Sequence, residues 1–153
     1  MSEEITTRKQ DDQPVLQMRR RIRHEEISTV LGEMLPSVYE YAVQKGAEFA
    51  GAPYCAYREW TPGGVTVEAG LPVAAQVDGT EEIEASTVPG GTYAVAVHEG
   101  AYDSLDKTHA LLDSWLEEHG RWADSPRYEV YLTDPGQYPD PSEWRTEVSC
   151  RIE

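Results

Sequence analysis

The sequence predicts one α+β domain made from a strand–helix–hairpin unit used twice. Its antiparallel strands form a sheet with two helices on one face, and a ligand cleft lies between the repeats. Three observations lead there. Two apolar stripes at helical spacing are each preceded by an alternating strand and followed by a hairpin. Tyr54-Cys55-Ala56-Tyr57 lies over Tyr128-Glu129-Val130-Tyr131 at an offset of 74, and Val67-Glu68-Ala69 over Thr146-Glu147-Val148 at an offset of 79. Finally, 153 residues, 39% of them hydrophobic, suffice for one core, whereas neither half is large enough to bury its own apolar face well.

The opening, "MSEEITTRKQDDQP", has neither the basic start nor the apolar run of a signal peptide, and residues 1–13 read as a short disordered tail ahead of a single domain over 14–153. "VLQMRRRIRH" (15–24) alternates as a strand with Leu16, Met18 and Ile22 on one face. Its arginines split between faces, which reads as an edge strand guarded by charge. Ile27, Val30, Leu31, Met34, Leu35, Val38 and Ala42 then make one helical stripe. Pro36 should kink or break it, and Lys45-Gly46 should end it. After Gly51-Ala52-Pro53 come "YCAYREW", the turn "TPGG" and "VTVEAGLPV", a hairpin.

Residues 82–88 read as a linking strand, and then the order repeats. "GGTYAVAVHEG" (90–100) is a strand entered by a Gly-Gly turn. A helix runs from Tyr102 to His119 with Leu105, Thr108, Leu112, Trp115, Leu116 and His119 inward, and Gly120 ends it. Pro126 opens "RYEVYL", and "EWRTEVSCRI" closes the chain. The repeats are thus approximately 14–76 and 91–152.

Net charge is −15, of which residues 80–153 carry −11. So acidic a chain lacks the electrostatic footprint of nucleic-acid binding and favours cationic small molecules or a basic protein surface; solubility alone is the plainer reading. No apolar run approaches the ~20 residues that span a bilayer. Cys55 and Cys150 lack CxxC spacing and read as reduced thiols of a cytoplasmic protein. His24, His98, His109 and His119 show no metal-site spacing, and His109 and His119 read as ordinary helix-surface or helix-end residues. There is no P-loop, dinucleotide fingerprint or nucleophile elbow, so nothing calls for a cofactor. Nine tyrosines against one phenylalanine favour rings with a polar tip.

Glu129 is the conspicuous residue, a carboxylate between two tyrosines at the centre of a strand. Alternation puts Tyr128, Val130 and Leu132 on one face, against the helices, and Glu129 and Tyr131 on the other, toward the groove with Cys55 and Tyr57. "PYCAYREW…VEAGLPV", "GTYAVAVHEGAYDSL" and "YEVYLTDPGQYPDPSEWRTEV", in that order, resemble the GyrI-like, AraC-type effector-binding family across most of residues 14–152. The Glu99-Gly100-Ala101-Tyr102 segment and the E-x-Y-L-x-D-P stretch at 129–135 are the most specific pieces.

The resemblance implies the same doubled fold, with a cleft for lipophilic, often cationic, small molecules. It makes Glu129 the charged floor of that cleft and Tyr131, Tyr57 and Tyr102 its walls; Trp115, Glu68 and Glu147 complete the candidate set. Many relatives carry a helix-turn-helix reader, but only about a dozen residues precede the first strand here, so no DNA contact by this chain itself is expected. Two alternatives remain open. Glu129, assisted by Tyr131, could hydrolyse cyclopropane-bearing or similar electrophiles, as some stand-alone members of the family do. Or the acidic second half could engage a protein partner, as a toxin or gyrase inhibitor would.

Overall fold

The computed structural model describes residues 5–152, and of Asp124 and Ser125 the backbone alone. In chain order its elements are β1 (Ile5–Gln10), β2 (Gln13–Ile22), α1 (Ile27–Gln44), β3 (Tyr54–Thr61), β4 (Gly64–Pro72), β5 (Glu84–Val88), β6 (Gly91–Glu99), α2 (Leu105–Glu118), β7 (Ala123–Tyr131) and β8 (Arg145–Ile152). A single 3₁₀ turn precedes each helix, at His24–Glu26 and Tyr102–Ser104. The protein is α+β with antiparallel strands, and the chain clusters into two compact units, Asp11–Gly90 and one formed by β1 with the chain from Gly91 onward.

In the first unit the strands run β3-β4-β2-β5, with α1 packed on β2 and β4. In the second they run β7-β8-β6-β1, with α2 packed on β6 and β8. Each unit is therefore a strand, a helix and a hairpin, plus one extra strand laid beside the first. The register carries the repeat down to single residues: Cys55 faces Ala69 in one hairpin, and Glu129 faces Val148 in the other.

Both helices form because an apolar stripe meets a sheet, and both end for the same local reason. Val30, Met34, Val38 and Ala42 are the buried positions of α1, and Leu105, Thr108, Leu112 and Leu116 those of α2. Gly46 at φ 69° and Gly120 at φ 59° take the left-handed conformation that turns the chain off the helix. Ala47 N–H then bonds to Ala42 O at 3.0 Å and Arg121 N–H to Leu116 O at 2.9 Å, closing a Schellman motif each time. Leu105, Leu112 and Leu116 gather with Ala94, Val148, Cys150 and Ile152 into one core cluster. Each such leucine contributes about 1.5–3 kcal/mol on leaving water.

Four expectations are corrected here. Ile5–Gln10 are a strand rather than part of a disordered tail, registered along β6 from Ile5↔Ala96 to Gln10↔Gly91; residues 1–4 lie outside the described residues. Backbone pairing to a waiting sheet neighbour needs little apolar surface, so this polar segment gave no hydrophobic pattern to read. β2 is interior, with β5 pairing along Gln13–Gln17 opposite β4; the β2–β5 register stops short of the arginines. Of the two outcomes expected at Pro36, the break does not occur, since α1 continues to Gln44. His119 is exposed rather than inward, because α2 ends one residue before it. Among the described residues, no helix is long and apolar enough to cross a membrane.

Candidate functional site

Cross-strand register fixes which way Glu129 points. Glu129 lies opposite Val148, and Val148 opposite Ala96, so the three share a face of the second unit's sheet. Val148 belongs to the cluster formed with Leu105, Leu112 and Leu116, so α2 covers that face. Glu129 and Tyr131 are therefore on the helix side. Tyr128 and Val130 are on the other, where Tyr128 sits beside Tyr93 with ring centroids 6.1 Å apart. This reverses the expected facing. Alternation places the apolar set against the helix only where the opposite face of the strand is wet, but Tyr128 and Glu129 are each only 6% exposed. Leu132, the third member of that set, is 43% exposed.

Both carboxylate oxygens of Glu129 are engaged. Tyr131 donates its hydroxyl to Oε1 at 2.9 Å, and His109, on α2, lies with Nε2 2.7 Å from Oε2. The other imidazole nitrogen, Nδ1, is 3.2 Å from Arg127 Nη1, and Arg127 Nη2 donates to Asp113 Oδ1 at 2.5 Å. A guanidinium can only donate, so His109 Nδ1 must be the bare acceptor and Nε2 must carry the proton. In that tautomer His109 donates from Nε2 to Glu129. The result is a chain of hydrogen bonds, Tyr131–Glu129–His109–Arg127–Asp113, between one strand and one helix. The carboxylate at its centre accepts a hydrogen bond on each oxygen.

Aromatic rings extend from one end of this chain. Tyr102, in the turn before α2, lies 5.7 Å from the Tyr131 ring and 4.8 Å from Trp144, centroid to centroid. Trp144 donates its indole N–H to the Tyr138 carbonyl at 2.6 Å, which holds the ring in place. Burial, with the charges of Asp134 and Glu129 adding to it, pushes the Tyr102 phenol above its ordinary range, so it stays a neutral ring with a hydroxyl donor.

Of the residues singled out in the sequence, the second unit brings Glu129, Tyr131 and Tyr102 together. Trp115 packs instead against the α2 core and stacks on His119 at 4.3 Å. Glu147 lies on the face away from α2 and is paired with Arg8 at 2.9 Å. In the first unit, Glu68 is held by Arg19 at 2.6 Å and Arg58 at 3.0 Å, and Tyr57 stands edge-on to Trp60 at 5.8 Å. Cys55 occupies in its hairpin the place Glu129 has in the other, and is fully buried. Both cysteines are free thiols.

Sequence reasoning missed His109, Arg127 and Trp144. His109 had a readable signal, since Leu105, Thr108, His109 and Leu112 follow the i, i+3, i+4, i+7 pattern of a packed helix face. The expectation of an ordinary helix-surface histidine is corrected accordingly. Among the described residues, no group of three or more His, Cys, Asp or Glu side chains is placed to hold a metal ion.

Comparison with known proteins adds three findings. Residues 3–153 match the family described as a GyrI-like small molecule binding domain. No curated protein matches the chain. Among solved structures it is similar to the EcmrR C-terminal domain, with TM-score 0.88 and 19% identity, covering 100% of this chain and 99% of that one. The same likeness recurs in the EcmrR–DNA complex, with TM-score 0.88 and 20% identity, where it covers 99% of this chain but 57% of that longer one. SAV2435 bound to tetraphenylphosphonium is also similar, with TM-score 0.70, 9% identity and coverage of 98% and 94%. At such identities these likenesses show a shared fold.

Proposed function

This chain belongs to the GyrI-like small-molecule-binding family, and from that membership we propose that it binds lipophilic cations at Glu129, sensing or sequestering them. One observation carries the reading: a carboxylate only 6% exposed, hydrogen-bonded to Tyr131 and His109, beside the rings of Tyr131, Tyr102 and Trp144. A carboxylate enclosed by aromatic rings favours a cationic ligand over a neutral one. Rings add about 0.5–2 kcal/mol for each well-placed cation contact. A neutral ligand at the same place gains nothing from the carboxylate, which is how such a site discriminates. SAV2435, of the same fold, was solved with a lipophilic cation bound, which supports this choice of ligand class.

The test uses tetraphenylphosphonium and the neutral triphenylphosphine oxide, with binding followed by calorimetry and tryptophan fluorescence at pH 8. Glu129→Gln keeps the shape and removes the charge, so the cation should lose about tenfold or more in affinity, some 1.4 kcal/mol. The phosphine oxide should lose little. Equal losses for both would mean Glu129 acts by packing, and absence of cation binding by the unmodified chain would end the proposal.

The hydrogen-bond chain through His109 favours a second reading, hydrolysis of a strained electrophile. Glu129 would take a proton from water, Tyr131 would assist, and His109 would hold the carboxylate in place. Incubation with cyclopropane-bearing electrophiles and flat esters, followed by chromatography, separates the readings. A binder returns each compound unchanged, while a hydrolase yields products and loses turnover on Glu129→Gln.

A further inference from the structure

We propose that the buried hydroxyl of Thr146 is a ligand contact, and that it selects cations carrying an N–H, such as protonated tertiary amines, over fully substituted onium ions. The inference rests on the reading of Glu129 as part of a cation site and names the ligand chemistry that site prefers.

Buried hydroxyls in folded proteins are nearly always hydrogen-bonded, so an exception has a physical reason. Among the described residues, His24 Nδ1 and Thr146 Oγ1 are buried side-chain atoms with no hydrogen-bond partner. Thr146 is 0% exposed and belongs to the unit that holds Glu129. Register fixes its place there. Thr146 stands two residues before Val148 on β8, so it shares the face that α2 covers, between Tyr131 of β7 and His98 of β6. Leu132 N–H bonds to Arg145 O at 3.0 Å, which makes the adjoining Tyr131–Thr146 pair the kind whose side chains approach most closely. Glu129 is the diagonal neighbour on the same face, about 7–8 Å away.

The side chains that flank Thr146 direct polar atoms elsewhere. Tyr131 donates to Glu129. His98 meets Thr108 Oγ1 at 2.8 Å through Nδ1, and the Ala101 carbonyl at 2.9 Å and Ser104 Oγ at 3.2 Å through Nε2.

The internal repeat shows that the fold does not require this hydroxyl. In the first unit Tyr57 faces Val67, as Tyr131 faces Thr146 in the second, and Val67 is likewise 0% exposed. An apolar side chain therefore satisfies the packing at this position. Glu129 and Thr146 occur together in one unit, where the other has Cys55 and Val67. A buried hydroxyl without a partner lowers stability, and a docked ligand that bonds to it recovers that loss. The neighbouring carboxylate favours a donor over an acceptor in that ligand, so an ammonium N–H fits. Tyr131 is only half-buried, and its ring can turn aside to admit one.

The probes are methyldiphenethylamine, protonated at neutral pH, and the quaternary dimethyldiphenethylammonium, in which a methyl group replaces the N–H. Calorimetry on the full chain should find the amine bound about tenfold or more tightly than the quaternary ion. Thr146→Val keeps the shape and removes the hydroxyl, so that preference should vanish; Thr146→Ser should retain it. A second readout needs no ligand: Thr146→Val should melt at a higher temperature than the unmodified chain, because an unbonded hydroxyl has left the interior. Three outcomes each overturn the inference: a preference that survives in Thr146→Val, no preference for the amine in the unmodified chain, or a Thr146→Val chain that melts no higher. The last would show that a buried water or another group already holds the hydroxyl. All three leave the cation site intact provided that the quaternary ion and tetraphenylphosphonium bind. Failure of the unmodified chain to bind any of the three cations overturns both readings.

Discussion

Replacing Glu68 with glutamine should cost less stability than removing the two arginines that hold it, although all three belong to one ion cluster. The Glu68 side chain is 3% exposed, whereas Arg19 is 52% and Arg58 36% exposed. Arg19 reaches Oε2 at 2.6 Å and Arg58 reaches Oε1 at 3.0 Å. After Glu68→Gln both guanidiniums can turn to water, and the amide oxygen still accepts one hydrogen bond. The loss is then on the order of 1–2 kcal/mol, below the usual figure for charge-assisted bonds. Arg19→Met with Arg58→Met instead strands a carboxylate in the interior, which costs about 3–5 kcal/mol. Urea titrations of the two variants at pH 7 should therefore differ by roughly 2 kcal/mol in that order. Acid should narrow the gap, because a proton on the stranded carboxylate removes its charge. If Glu68→Gln proves as costly as the double arginine variant, burial of the acid is not what sets the energetics, and the argument fails.

Two further outcomes follow from the second unit. Leu112, fully buried in the α2 cluster, should cost ~2–5 kcal/mol as alanine. Glu117, exposed on the same helix, should move stability by no more than ~0.5 kcal/mol, and matching urea midpoints for the two would show the helix face to be misassigned. Tyr102 should give stability an alkaline limb. Its phenol is raised mainly by burial, so its contribution is complete below the unfolded phenol's range and is lost as pH climbs through the folded one. Thermal melts of Tyr102→Phe should decline less steeply above about pH 10 than those of the unmodified chain, and parallel declines would refute this.

Much of the architecture was legible because it is written locally. Gly46 and Gly120 mark helix ends through backbone freedom that no neighbour needs to confer. The offsets of 74 and 79 carry the repeat because matched strands in the two hairpins must present matched side chains, and the observed register pairs those very residues. Glu129, Tyr131 and Tyr102 were also legible as a group, through the spacing that carries the family resemblance.

What remained hidden depends on contacts between segments distant in the chain. A strand as polar as Ile5–Gln10 is ordered by hydrogen bonds from β6, more than eighty residues away, which its own side chains do not advertise. The facing of β7 could not be read from alternation, since alternation separates two faces but cannot say which one a helix covers when both are buried. His109 had the spacing of a packed residue, but its role comes from Glu129 and Arg127 meeting it across the gap between α2 and β7. The sequence by itself determined both helices, the strands of the repeated unit and a carboxylate among tyrosines. Only the docking of helix on sheet decided which groups share that carboxylate, because hydrogen-bond partners are set by three-dimensional distance rather than separation along the chain.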